Sequence, residues 1–252
     1  MKYSAYYVEE IDGVFSASIS ELELKKPSDG FVQIQVSCSS LNYKDALSAS
    51  GNKGVTRNYP FVPGIDAAGT ISDANSSNFV EGDEVLVTGY DMGMNTPGGF
   101  GEFINVPANW VVKKPSALTS IEAMSIGTAG LTAAASVLKI QESSQESDLP
   151  VLVSGATGGV GSIGVMLMSK LDKEVTALTG KSSSVDFLKS IGAKNVILRD
   201  DFLEGPVKPM ERALFSSAID TVGGNVLSKM LTQISPHGVV ACCGNVAGIE
   251  VN

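Results

Sequence analysis

Two stretches of this 252-residue chain combine residue types and spacing that can do chemistry. In Val151-Leu152-Val153-Ser154-Gly155-Ala156-Thr157-Gly158-Gly159-Val160-Gly161, a short apolar run meets glycines at 155, 158 and 161, and apolar residues at largely helical spacing follow. A strand, a tight turn and a helix start in that order present free helix N–H groups to a pyrophosphate. Glycines there let the chain turn sharply, admit the phosphates, and let the helix lie close on its strand. Thr157, Gly158, Gly159, Val160 and Gly161 are the expected contacts with a dinucleotide, and a purely structural glycine turn is the plainer alternative. The second stretch, Ser39-Ser40-Leu41-Asn42-Tyr43-Lys44-Asp45, follows a strand and gathers polar side chains ahead of Ala46 and Leu47.

The cofactor type follows from the end of the second strand of such a fold, where an acidic residue would bond both ribose hydroxyls of NAD. Here that position reads Ala177-Leu178-Thr179-Gly180-Lys181-Ser182, with no carboxylate. Thr179 can donate to a 2′-phosphate and Lys181 can oppose its charge, which favours NADPH; an ordinary polar turn is the competing reading. Arg199, at the end of the next strand, adds charge below the adenine or is simply an exposed arginine.

The elements that must position these residues fall into two groups. Residues 1–120 alternate β-rich runs with Gly, Pro and Asn turns and read as a small curled β domain. An alanine-rich stretch from Thr119 to Glu142, broken near Gly127 and Gly130, reads as one or two linking helices, and Gln141 to Asp148 as a loop. Residues 121–252 form the second domain. From Pro150 its rhythm is strand and helix: strands at 151–154, 174–178, 195–198, 217–221 and 238–243, helices near 160–171, 183–191 and 226–235. That alternation implies a doubly wound parallel sheet with right-handed crossovers.

A net charge of −9 argues against nucleic acid or an anionic membrane as the main partner. The N-terminus has no apolar run of signal-peptide length and no segment approaches a membrane span, so the expectation is a cytoplasmic protein. Cys38, Cys242 and Cys243 lie in apolar strands and are expected to be buried, reduced thiols.

Several segments in order along the chain resemble the medium-chain dehydrogenase/reductase superfamily, and within it the zinc-independent YhdH/YhfP-type quinone oxidoreductases that include acrylyl-CoA reductases. They are Ser40-Leu41-Asn42-Tyr43-Lys44-Asp45, Pro63-Gly64-Ile65-Asp66, Gly82-Asp83-Glu84-Val85, Ile126-Gly127-Thr128-Ala129-Gly130, Gly155 to Gly161, and Ala218-Ile219-Asp220-Thr221-Val222-Gly223. The resemblance implies a GroES-like first domain and a Rossmann second domain. It implies a role for Tyr43 at the nicotinamide end and in orienting substrate, with Thr221 and Asn245 lining the nicotinamide side. Asp45 either anchors the site or caps a helix beginning at Ala46. Lys44 is a weaker acid/base candidate, and Lys53 with Arg57 could meet an anionic substrate tail.

Where zinc alcohol dehydrogenases of the superfamily carry a cysteine and a histidine ligand, this chain has Asn42 and Ile65, and it has a single histidine, His237. No metal is expected. Reduction of an activated C=C, as in an enoyl thioester, or of a quinone suits such a site better than alcohol oxidation, which needs a Lewis acid. The alternatives are a non-catalytic NADPH-responsive binding protein or an inactive fragment. Family members run past Asn252 with a sixth strand used in dimer contacts, so the resemblance implies a homodimer at full length and a C-terminally truncated sheet here.

Overall fold

The structure is a computed structural model that describes residues 1–75, 77–145, 147–205 and 211–251. The chain divides into two compact units, Met1–Thr128 and Ala129–Asn252. The division falls inside a helix, where the sequence suggested a boundary at 120/121.

In the first unit, β1 (Lys2–Ile11) and β2 (Val14–Glu23) form an antiparallel hairpin. Next come β3 (Phe31–Cys38), the short helix α1 (Tyr43–Ala49), β4 (Asp66–Asp73), β5 (Glu84–Thr88), β6 (Phe103–Pro107) and β7 (Val112–Lys113). The last five strands make one antiparallel sheet in the order β6-β3-β4-β5-β7. Its core side follows the two-residue strand period: Val32 and Ile34, Val85 and Val87, Ile104 and Val106 are buried together. The register of β3 against β4 shifts before Ile34 and again before Cys38, and β3 ends at the polar run that leads into α1.

Helix α2 (Ser120–Ser143) starts at a capping arrangement in which Thr119 N–H and Oγ1 both donate to Glu122 Oε2 at 2.8 Å. It is broken at Gly127, whose φ of 47° and ψ of −156° are open to glycine and costly for other residues; Gly130 stays helical. Of the loop expected over 141–148, the first three residues belong to α2 and position 146 lies outside the described residues. Contrary to expectation, α2 is long and apolar enough to cross a membrane by length and composition, with a mean hydropathy of 1.4. Part of its apolar surface serves two interiors: Ala123 and Met124 pack with Ala68 in the first unit, Val137 and Ile140 with Val151 and Val153 in the second, while Ile121, Ile126, Leu131 and Leu138 are exposed.

The second unit runs β8 (Val151–Val153), α3 (Gly159–Lys170), β9 (Val175–Thr179), α4 (Val185–Ser190), β10 (Asn195–Leu198), α5 (Arg199–Phe202), β11 (Ser217–Asp220), α6 (Gly224–Thr232) and β12 (Val240–Cys242). Its five strands are all parallel, in the order β10-β9-β8-β11-β12. Alternate strand residues feed the two faces. Val151, Val153, Ala177 and Ile219 pack on α3 through Val165 and Met168, while Leu152, Leu178 and Ala218 pack on α6 through Val226 and Met230. The expected strands and helices are all present, and only the four-residue α5 was not foreseen.

Helix α3 is held against its turn at Gly161, where a Cβ would lie 2.3 Å from Gly155 O and 2.8 Å from Ala156 Cα. Both neighbours are backbone and cannot swing aside. Gly161→Ala is expected to lower stability by about 1–3 kcal/mol through overpacking, measured by urea unfolding; an unchanged midpoint would mean that helix and turn do not pack this closely.

Candidate functional site

The first unit assembles its polar cluster around one carboxylate. Asp66 opens β4 and is fully buried. Its Oδ2 accepts from Ser40 Oγ at 2.5 Å, Asn42 Nδ2 at 2.8 Å and Thr128 N–H at 3.0 Å; its Oδ1 accepts from Thr128 Oγ1 at 2.6 Å. The backbone break at Gly127 belongs to the same cluster, since a Cβ there would sit 2.8 Å from both Asp66 Oδ2 and Ser40 Oγ. Burying a carboxylate is costly unless its lone pairs are met, and here four donors meet them.

Asn42 is also the N-cap of α1, so the helix begins at Tyr43 and not at Ala46. That makes Asp45 the third helical residue, reaching back: Oδ2 accepts from Asn42 N–H at 2.7 Å and Oδ1 from Ile65 N–H at 2.9 Å. Of the two readings of Asp45, anchor or cap, the geometry gives it both backbone duties, and its side chain is 2% exposed. Tyr43 is 59% exposed and Lys44 is exposed beside it. Lys53 is committed elsewhere: it pairs with Glu10 and lies over the rings of Phe15 and Tyr59, 5.2 and 4.8 Å from their centroids. An anionic tail would have to compete with those partners.

In the second unit every remaining candidate lies at the carboxyl ends of the parallel strands or in the segments that follow them, where open α/β sheets bind ligands. After β8 the chain turns at Gly155, with φ 55°, and a Cβ there would be 2.2 Å from Thr221 Oγ1. Gly158 is the N-cap of α3 and no side chain caps the helix, nor does an acidic residue stand in its first turn. The first-turn N–H groups, those of Gly159, Val160 and Gly161, have no acceptor within the helix. Gly158 and Gly159 are exposed, Thr157 and Val160 half-buried, and Gly161 buried. The arrangement suits an anion held by backbone N–H groups.

At the end of β9, Thr179 is buried and its Oγ1 accepts from Lys181 N–H at 3.1 Å, which leaves the hydroxyl hydrogen able to donate. The Lys181 side chain is exposed. Arg199, expected at a strand end, opens α5 and bonds Asp200 Oδ1 through Nε and Nη2 at 3.2 and 3.1 Å. Its guanidinium lies over Gly180, 3.4 Å from where a Cβ would stand. Thr179, Gly180, Lys181 and Arg199 are thus brought together.

A second buried carboxylate organises the other strand ends. Asp220 Oδ1 accepts from Ser154 Oγ at 2.5 Å and Val222 N–H at 3.2 Å, and Oδ2 from Gly223 N–H at 2.9 Å, at the start of α6. Thr221 is fixed beside it, donating from N–H to Ser154 Oγ at 2.9 Å and from Oγ1 to Ser154 O at 3.1 Å. Asn245 follows β12, exposed, with its Cα 3.0 Å from where a Cβ on Gly223 would be. Asp66, Thr128, Ser40, Ser154 and Asp220 had been assigned no role from sequence. The available signal was an acid inside an apolar strand, which must find donors. The cysteines also differ from expectation: they are free, but Cys38 and Cys243 are half-buried and Cys242 is exposed, at the end of β12, the last strand in the sheet order.

Residues 28–116 match the alcohol dehydrogenase GroES-like domain. The probable acrylyl-CoA reductase AcuI of Escherichia coli is 42% identical over 248 residues, 98% of this chain and 76% of that protein. The yhdH oxidoreductase of Salmonella enterica, solved in complex with NADP, superposes with a TM-score of 0.92 at 42% identity, over 98% of this chain and 76% of its own. The yhfP protein of Bacillus subtilis, solved with NAD bound, gives 0.94 at 38% identity, over 100% and 77%. The chain belongs to the AcuI/YhfP/YhdH quinone oxidoreductase group of the medium-chain dehydrogenase/reductase family.

Within this family member, the positions that the sequence comparison set against zinc ligands carry no ligand chemistry. The Asn42 amide nitrogen is a donor already directed at Asp66, and Ile65 is a buried hydrocarbon whose N–H serves Asp45. Among the described residues, no group of three His, Cys, Asp or Glu side chains gathers to hold a metal.

Burial pushes the Asp45 carboxyl above its ordinary range, against the pull of its bonds from Asn42 and Ile65. A folded-state pKa above the unfolded one means that ionisation opposes folding. The penalty is absent below the unfolded pKa, grows as pH rises through the interval between the two, and is complete above the folded pKa. Stability of the unaltered chain relative to Asp45→Asn is therefore expected to improve as pH is lowered from about 7 to about 4, measured by urea unfolding. A difference that is flat across that interval would show an unshifted carboxyl.

Proposed function

We propose that this protein is an NADPH-dependent, zinc-independent reductase acting on an activated C=C, such as an enoyl thioester of the acrylyl type, or on a quinone. The observation that carries the reading is the juxtaposition, at the ends of β8 to β10, of an uncapped helix N-terminus with Thr179, Lys181 and Arg199. When bound, NADPH supplies a hydride to the β-carbon of the alkene, or to the quinone, while a proton completes the reduction at the α-carbon or the quinone oxygen. The chain's own residues bind and orient. The N–H groups of Gly159, Val160 and Gly161 hold the pyrophosphate, with Thr157 and Gly158 shaping its approach. Thr179 donates to the 2′-phosphate and Lys181 and Arg199 oppose its charge across Gly180.

Thr221 is held rigidly, and because its hydroxyl hydrogen is directed at Ser154 O it offers lone pairs to an amide such as the nicotinamide carboxamide. Asn245 is its neighbour in this role, and Tyr43 is the residue that the family resemblance puts forward for the nicotinamide end and for orienting substrate. Asp45 acts through the backbone of α1 and not on substrate. Proximity of donor and acceptor supplies most of the acceleration, and no metal is required. A cytoplasmic homodimer that takes a small electrophile, with neither nucleic acid nor membrane as partner, is the setting that goes with this reading.

The reading is tested by following NADPH oxidation with acrylyl-CoA, crotonyl-CoA and small quinones, with a chelator present throughout. Turnover with at least one acceptor is expected. No turnover with any, or turnover that returns only with added zinc, would overturn it. Cofactor choice must rest on this chain's own residues, since one relative was solved with NADP and another with NAD. Lys181→Ala is expected to weaken NADPH by about 1.5–3 kcal/mol, the size of one charge-assisted bond, with NADH nearly unaffected. Equal losses for the two cofactors in a binding titration would remove the argument for the lysine.

A further inference from the structure

Tyr43 is exposed at the first turn of a seven-residue helix, so what aims it is the backbone beneath it. A helix that short does not hold itself. Its N-cap, Asn42, is tied by its side chain to Asp66, a residue on a different strand. Asp66 at the same time receives Ser40, two residues earlier in the same connection, and both the N–H and the hydroxyl of Thr128 at the break in α2. The connection from β3 to α1 is thereby fixed from outside itself, at two of its residues, by one fully buried carboxylate.

We infer that Asp66 is a positioning residue of the reductase: through Ser40, Asn42 and Thr128 it sets the start of α1 and hence the place of Tyr43, without touching substrate or cofactor. The inference rests on the reductase reading above. Every donor arranged around Asp66 requires an acceptor. An asparagine in its place would turn an NH2 group toward donors and break the set on at least one side while keeping the volume. The phosphate and ribose contacts proposed for the second unit share no residue with this cluster, and Tyr43 is proposed for the nicotinamide end alone, so the effect falls on turnover far more than on NADPH binding.

The test compares Asp66→Asn, Thr128→Val and Thr128→Ser with the unaltered chain, using whichever acceptor the unaltered chain reduces. Turnover is expressed per NADPH-binding site, so that loss of folded protein is not counted as loss of rate. Displacing the group that orients substrate is expected to lower kcat about a hundredfold in Asp66→Asn and about tenfold in Thr128→Val, with Kd for NADPH within about twofold. Thr128→Ser, which keeps the hydroxyl, should restore kcat to within about twofold of the unaltered chain. An unchanged kcat per binding site in Asp66→Asn would overturn the inference. Should that variant yield no folded protein, the Thr128 pair decides: Val and Ser variants with equal kcat would overturn it just as firmly. Failure of the unaltered chain to reduce any acceptor is a separate result, which strikes the reductase reading itself and this inference with it.

Discussion

The polar architecture of this protein depends on a buried carboxylate being satisfied. Asp66 lies within the interior of the first unit, where an unmet negative charge would be untenable, and the surrounding sequence is arranged to meet it: a serine and an asparagine from one connection, a threonine from another. The break in α2 follows from the same demand. Only a residue without a Cβ can pass so close to Asp66 and Ser40, and turning the backbone there brings the N–H of Thr128 to the carboxylate. One side chain thus governs where α1 starts and where α2 is interrupted.

The second unit repeats the device in different surroundings. Asp220 ends a fully buried strand and draws in Ser154 from the glycine turn and two backbone N–H groups ahead of α6. The turn that is suited to phosphate and the threonine proposed to face the nicotinamide are therefore fixed to one another through a third residue that need not touch either ligand. In both units a wholly buried acid holds residues next to the groups proposed to carry the chemistry, several of which, such as Tyr43, Lys181 and Asn245, are exposed. Such separation is what a preorganised site requires, because the reacting surface must stay open while its supports stay dry.

Much of this was legible in the sequence. The glycine turn, the strand and helix rhythm after Pro150, and the lack of an acid at Thr179 are local patterns, and each has a local physical cause: apolar runs of strand length, glycines where the chain must turn, a strand end that selects the ribose. The start of α1 was misplaced because its N-cap looks outward along the chain like any other asparagine; only the distant Asp66 distinguishes it. The duties of Asp66 and Asp220 were illegible for the same reason, since their partners are far away in sequence. Lys53 suggested a contact for an anionic tail because a loop lysine beside glycines gives no hint of Glu10 or of the two rings it covers. Helix α2 shows the limit of composition, which gives no sign that its two halves each lend a few residues to a separate interior.

The side chains proposed to recognise the 2′-phosphate differ sharply from the turn that holds the pyrophosphate. Gly161 is closed in by backbone and Gly155, at φ 55°, by the side chains of Thr221 and Val222, whereas Lys181 is exposed and Arg199 is half in solvent, paired with an exposed aspartate beside it. Changing the former disturbs folding; changing the latter leaves the core as it was. Dinucleotide binding is therefore constrained in this scaffold, while the preference between its phosphorylated and unphosphorylated forms is free to drift. On this reading, substitutions at Lys181 and Arg199 would alter the choice of reductant while leaving the packed glycine turn as it is.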